Sequence, residues 1–114
     1  GHHLVHGWKG GRTENVSSVD STEDMSRADQ VLADFTVKKI QEMAKGDQPF
    51  FIEHCFMKVH CDNFAHPDFQ GKSASKYPYK DAIVEVDLHV GALRAAIDAG
   101  HVAGICFGAL LEET

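Results

Sequence analysis

The stretch Gln48-Pro-Phe-Phe-Ile-Glu-His-Cys-Phe-Met-Lys-Val-His60 constrains the fold more than any other part of the chain. Phe50, Phe51 and Ile52 are strong β-formers, and the run ends in a polar tip that carries a histidine. The pattern predicts a buried strand over residues 50–58. In open α/β sheets, ligands collect outside the carboxyl ends of strands. His60, at that end, is therefore the first residue to weigh for chemistry.

Helical patterns flank this strand. Ser21-Thr22-Glu23-Asp24 offers a hydroxyl to cap free amides and acids to favour the positive end of a helix dipole. Ala28, Val31, Leu32, Phe35, Ile40 and Met43 then recur at helical spacing, and Gly46 is a stop. One helix is expected over 22–45. Residues 61–77 break any period with Asp62, Asn63, Pro67, Asp68, Gly71 and Ser73, and read as a loop.

Pro78 fits a first helical position. Tyr79, Ala82, Ile83, Val86, Val90, Leu93 and Ile97 follow at steps of three or four, up to a stop at Gly100. Gly91 weakens that helix by about 1 kcal/mol relative to Ala, unless a neighbour needs close approach there. Asp81, Glu85 and Asp98 read as its wet face. Val102–Phe107 is a short apolar run expected to form a second strand.

Residues 1–20 hold Gly7, Gly10, Gly11, Asn15, Ser17 and Ser18 without lasting periodicity. They read as an irregular arm ordered at most by Val5 and Trp8. Gly1-His2 reads as an appended remnant. Gly10-Gly11 is not a phosphate loop, because no strand precedes it and no Gly-Lys-Ser/Thr tail follows. The expected organisation is one small α/β domain over 21–114.

Size and charge bound the function. A chain of 114 residues supports one small domain. A formal net charge of −6, with scattered lysines and arginines, argues against nucleic acid and anionic membrane as partners. No apolar run approaches the ~20 residues that cross a bilayer. No signal peptide is visible. Cys55, Cys61 and Cys106 are an odd number, which suits free thiols in a reducing compartment. A cytoplasmic location is expected.

The His- and Cys-bearing tip invites a metal reading. Strand alternation, however, puts His54, Phe56, Lys58 and His60 on one face and Cys55, Met57, Val59 and Cys61 on the other. Ligands for a tetrahedral site must converge, so no metal site is expected. The same alternation separates Cys61 from His60 as a nucleophilic pair. Cys55 reads as a small core residue, His66 as a solvated loop residue, and Phe35, Phe50, Phe51 and Phe56 as core. His60 is open to two readings, a polar residue left at a strand end or an anion contact. Lys58 and Lys72 are the cations that would help hold such an anion.

Several short pieces in order carry a family likeness: Gln48-Pro-Phe-Phe-Ile52, Lys58-Val59-His60, Gly71-Lys72-Ser73, Tyr79-Lys-Asp-Ala82 and Val84-Glu-Val-Asp87-Leu-His-Val-Gly91. Together they resemble a central segment of the sulfatases, of the arylsulfatase type. The likeness runs weakly over residues 22–100 and is most specific over 48–93. It implies an α/β fragment, helix-strand-helix(-strand), resembling part of an alkaline-phosphatase-like α/β/α sandwich. It also implies a sulfate-ester hydrolase ancestry in which the histidine at the strand's end, here His60, reaches the sulfate group.

The departures bear on activity. The resemblance implies a Cys/Ser-x-Pro/Ala-x-Arg motif that yields formylglycine, and none of the three cysteines stands in one. It implies calcium held by paired aspartates and an Asp-Asn-Gly, and neither pattern is present. The tail from His101 to Thr114 does not follow the family. Sulfate-ester cleavage needs an activated nucleophile, a cation for the anionic oxygens and a proton donor. One histidine cannot supply all three.

The expectation is a truncated sulfatase-like protein with no catalytic residue, cofactor or metal of its own. His60, Lys58 and Lys72 would form a site for sulfate or another small anion. A slice of a sandwich leaves strand edges and an apolar face uncovered, so a homo-oligomer is expected. The alternatives are a sulfate- or phosphate-ester hydrolase completed by a partner chain, and a folded open reading frame without a selected role.

Overall fold

The computed structural model describes residues 1–60 and 64–100. Where an irregular arm is expected, the chain opens with an antiparallel hairpin of β1 (His3–Gly7) and β2 (Thr13–Ser18). The Trp8 amide donates to the Arg12 carbonyl at 2.9 Å, closing the connection. Gly10 and Gly11 take φ of +99° and +96°, a region that favours glycine. The Gly-Gly pair is thus a turn device. His6 stacks on Trp8 at 3.8 Å and the Arg12 guanidinium lies 4.2 Å from the same ring, so the hairpin carries its own small packing unit.

The single helix expected over 22–45 is two, α1 (Thr22–Ser26) and α2 (Ala28–Ala44). The Ser21 hydroxyl caps α1 by accepting from the Asp24 amide at 3.0 Å. The break falls at Arg27. There the Ser26 carbonyl accepts from the Lys58 ammonium at 2.9 Å, and the Ser26 hydroxyl donates back to the Glu23 carbonyl at 2.6 Å. A tertiary partner has taken the carbonyl at the junction, which local spacing could not announce. Val31, Leu32 and Phe35 on α2 face the hairpin across a groove that Leu4, Val5 and Val16 also line. The ring of His6 meets Phe35 edge-on at 4.8 Å.

Residues 50–58 have the alternation of a strand but no ladder partner among the described residues, where β1 and β2 form the sheet. Ile52, His54, Phe56 and Lys58 turn inward, while Phe51, Glu53 and Cys55 face out, Phe51 with 86% of its surface exposed. This corrects the expected strand assignment: a strand needs a hydrogen-bonded neighbour, and no described residue pairs with this run as one. It also corrects the reading of Cys55 and Phe51 as core residues. Phe35 is likewise exposed.

The inward side chains fix the direction of the run. His54 meets Thr36 and Lys58 meets Asp29, so the run travels antiparallel to α2. Four extended residues cover ~13 Å and seven helical residues rise ~10 Å, a close match for a strand-like element lying along a helix.

A 3-10 turn, Pro67–Phe69, interrupts the following loop. Helix α3 (Pro78–Ala99) starts on its proline and ends at Gly100, as the spacing predicts. Its orientation differs from the expected one. The buried face is Asp81, Ala82, Glu85, His89, Leu93 and Ala96, while Tyr79 and Ile83 of the apolar stripe are exposed. Asp81 and Glu85 are therefore not on a wet face. Ile40 of α2 packs with Leu93 and Ala96 of α3, and Val37, Ile52, Phe56 and Ile97 surround them. The run and two helices thus share one seam, apolar at one end and ionic at the other. The second strand expected over 102–107 lies outside the described residues. Among them, no helix is long and apolar enough to cross a membrane.

Candidate functional site

The ionic end of the seam is built on Lys58. Its side chain is 0% exposed, and so are those of Asp29 on α2 and Glu85 on α3. The ammonium lies 3.3 Å from Asp29 Oδ2, 3.2 Å from Glu85 Oε1 and 2.9 Å from the Ser26 carbonyl. An ammonium carries three donors, and here it donates to the Ser26 carbonyl, to Asp29 Oδ2 and, at 3.5 Å, to Glu85 Oε2. The carboxylates have further work. Asp29 Oδ1 accepts the Met57 amide at 2.8 Å, and Oδ2 the Lys58 amide at 3.0 Å. Glu85 Oε1 accepts the His66 amide at 2.8 Å, while Oε2 faces His89 Nε2 at 2.7 Å.

This placement corrects the role expected for Lys58. Its charge is turned away from solvent and matched by two carboxylates, where a lysine open to an anion is the expectation. His60 is exposed just beyond it, in a turn where its own amide donates to the Met57 carbonyl at 3.3 Å. Lys72 is exposed on a loop that α3 holds. Asp81 accepts from the Ser73 hydroxyl and from the Gly71 and Ser73 amides at 2.8 and 2.9 Å. The Ser73 hydroxyl first, and then the two amides, hold its carboxyl below the usual aspartate range. Gly71 takes a φ of +76°, which lets its amide turn toward Asp81.

Two further histidines are tied into the structure. His54 Nδ1 lies 2.7 Å from the Thr36 hydroxyl, and its ring meets Phe56 edge-on at 4.5 Å. Burial pushes its pKa down; Asp29 opposes the shift and His89 adds to it. His66, read from sequence as solvated, is mostly buried and accepts the Asp68 amide at 3.0 Å to cap the 3-10 turn. Among the described residues, no three His, Cys, Asp or Glu side chains converge as a metal site. A cleft of about 690 Å³ opens beside the cluster, between α1 and the loop around Phe64, Pro67 and Lys76.

Sequence reasoning missed Asp29, Glu85 and His89. The available signal was the step of four that puts Asp81, Glu85 and His89 on one face of α3. Such a polar stripe normally reads as solvated, and only the inward Lys58 turns it into a buried one.

A strand-like run backed by two helices, with a histidine at its carboxyl end, is the arrangement that the expected alkaline-phosphatase-like α/β fragment calls for. Comparison with known proteins makes this particular. The PsFucS1 sulfatase from Pseudoalteromonas sp. superposes with a TM-score of 0.79 and 39% identity, covering 85% of this chain and 19% of that one. The steryl-sulfatase of Rattus norvegicus is 42% identical over 52 residues, which is 46% of this chain and 9% of that protein. No family model matches. The chain is thus similar to a partial segment of the sulfatases, and it spans less than a fifth of either relative.

Proposed function

We propose that this segment supplies one wall of a sulfate-binding pocket, with His60 as the anion contact, and does not hydrolyse esters on its own. The observation that carries the reading is the exposure of His60 at the end of a run fixed by buried carboxylates, in a chain that superposes on a sulfatase. Lys72 is the cation left exposed to assist. The 114 residues contain no Cys/Ser-x-Pro/Ala-x-Arg pattern to provide a nucleophile. Association of copies through the outer face of residues 50–56 belongs to the same reading, because that face carries Phe51 and backbone groups without a ladder among the described residues.

A second reading is favoured by coverage. The segment matches only 19% of the PsFucS1 chain, so the missing groups of a sulfate-ester hydrolase would come from other sequence. A single experiment separates the two. The 114-residue chain is incubated with calcium and a chromogenic aryl sulfate, and inorganic sulfate is titrated while the His60 ring signals are followed by NMR. The expected outcome is no turnover, with sulfate-dependent shifts that His60→Ala abolishes. Turnover that disappears in His60→Ala would sink the non-catalytic reading. Shifts indifferent to His60→Ala would sink the anion site.

A further inference from the structure

We infer that Asp29 and Glu85 are positioning residues for His60, acting as a two-helix clamp on the described backbone to either side of it. The inference rests on the anion-contact reading of His60 and names what holds that contact in place.

The clamp is asymmetric and complete. Asp29, on α2, takes the amides of Met57 and Lys58, which precede His60, at 2.8 and 3.0 Å. Glu85, on α3, takes the amide of His66, which follows it in the chain, at 2.8 Å. Lys58 then joins the carboxylates, at 3.3 Å from one and 3.2 Å from the other. Each helix thus grips the backbone on one side of His60, and one ammonium ties the grips together.

The choice of groups argues for location over stability. Burying an ammonium and two carboxylates costs desolvation that their attraction barely repays, and well-packed apolar residues of similar volume often serve stability as well or better. Apolar residues cannot, however, accept two successive amides at one stem and a third amide at the other. Charged acceptors with fixed helical addresses can, and a group that must meet an anion needs its support shell to be rigid.

The test uses the intact 114-residue chain with inorganic sulfate as probe. Sulfate affinity and the backbone order parameter of His60 are measured by NMR for wild type, Asp29→Asn, Glu85→Gln and the double variant Lys58→Met/Glu85→Gln. The double variant removes charges of both signs and guards against a single variant that fails to fold. Ile40→Val, in the apolar part of the seam, is the control for general destabilisation. The expected result is a tenfold or greater loss of sulfate affinity in the clamp variants and a change within twofold in the control. The His60 order parameter should fall from about 0.85 to below about 0.6 in the clamp variants alone. Clamp variants that bind sulfate like wild type, or a control that loses as much, would overturn the inference. Should wild type show no sulfate response, the anion reading fails, and the order parameter still decides the clamp: an unchanged value in the clamp variants overturns it.

Discussion

His54 shows how a single side chain can set the pH dependence of this seam. Its Nδ1 is engaged by Thr36, and its Nε2 is buried without a hydrogen-bond partner among the described residues. Burial is the main cause of its lowered pKa, so the folded protein holds the neutral ring. The unfolded chain binds a proton near pH 6.5. Between that value and the lower folded pKa the unfolded state carries more protons, and stability rises with pH across the window. The contribution is present above about pH 6.5 and is lost as pH falls through the folded pKa. The thermal midpoint should therefore drop between pH 7.5 and 5.5 by more in wild type than in His54→Gln. Parallel slopes for the two proteins, measured by circular dichroism, would remove His54 as the cause.

At the scale of elements, α3 is the informative case. Its ends follow local chemistry, with proline at the start and glycine at the stop. Its rotation does not. Of the apolar stripe from Tyr79 to Ile97, Ala82, Leu93 and Ile97 do face the seam, but Tyr79 and Ile83 are exposed and Asp81, Glu85 and His89 are buried in their place. The inward face was decided by what sits opposite, namely the Lys58 ammonium and the amides of Gly71, Ser73 and His66. Gly91 sits on the outer side, where an added Cβ would meet nothing within 4 Å. The exception allowed for close approach thus does not apply. Gly91→Ala should stabilise the chain by roughly 0.5–1 kcal/mol, read as a raised urea midpoint with an unchanged slope. A loss of stability would mean that something covers this face in solution.

For the whole molecule, the telling feature is which apolar side chains are buried. Most buried hydrophobic residues are alanines, with Ile40 and Leu93 the larger ones, while Phe51, Tyr77, Leu88, Tyr79 and Ile83 are exposed. An alanine-lined seam lets two helices approach closely but removes little apolar area from water. The large apolar surface stays outside and favours association. Light scattering at micromolar concentration should give a mass above 12.5 kDa, the mass of one chain. A single-chain mass under those conditions would count against self-association through this surface.

The sequence by itself determined the elements whose signals are local: the Ser21 cap, the start of α3 at Pro78 and its stop at Gly100. It also determined the family segment, through short motifs in order. The hairpin was barely legible: Gly10-Gly11 marks a turn, but Val5 in β1 and Thr13 and Val16 in β2 are the only β-branched residues of its strands. Tertiary structure alone decided the rest. Lys58 read as an anion-holding cation at a strand's end and became the hub of a buried cluster. Asp81 and Glu85 looked wet and became acceptors. The long helix broke at Arg27. In each case one charged or hydrogen-bonding group met a partner some ten to thirty residues away, and no local period records such a meeting. A buried charge is set by what faces it, and that is a property of the packed chain.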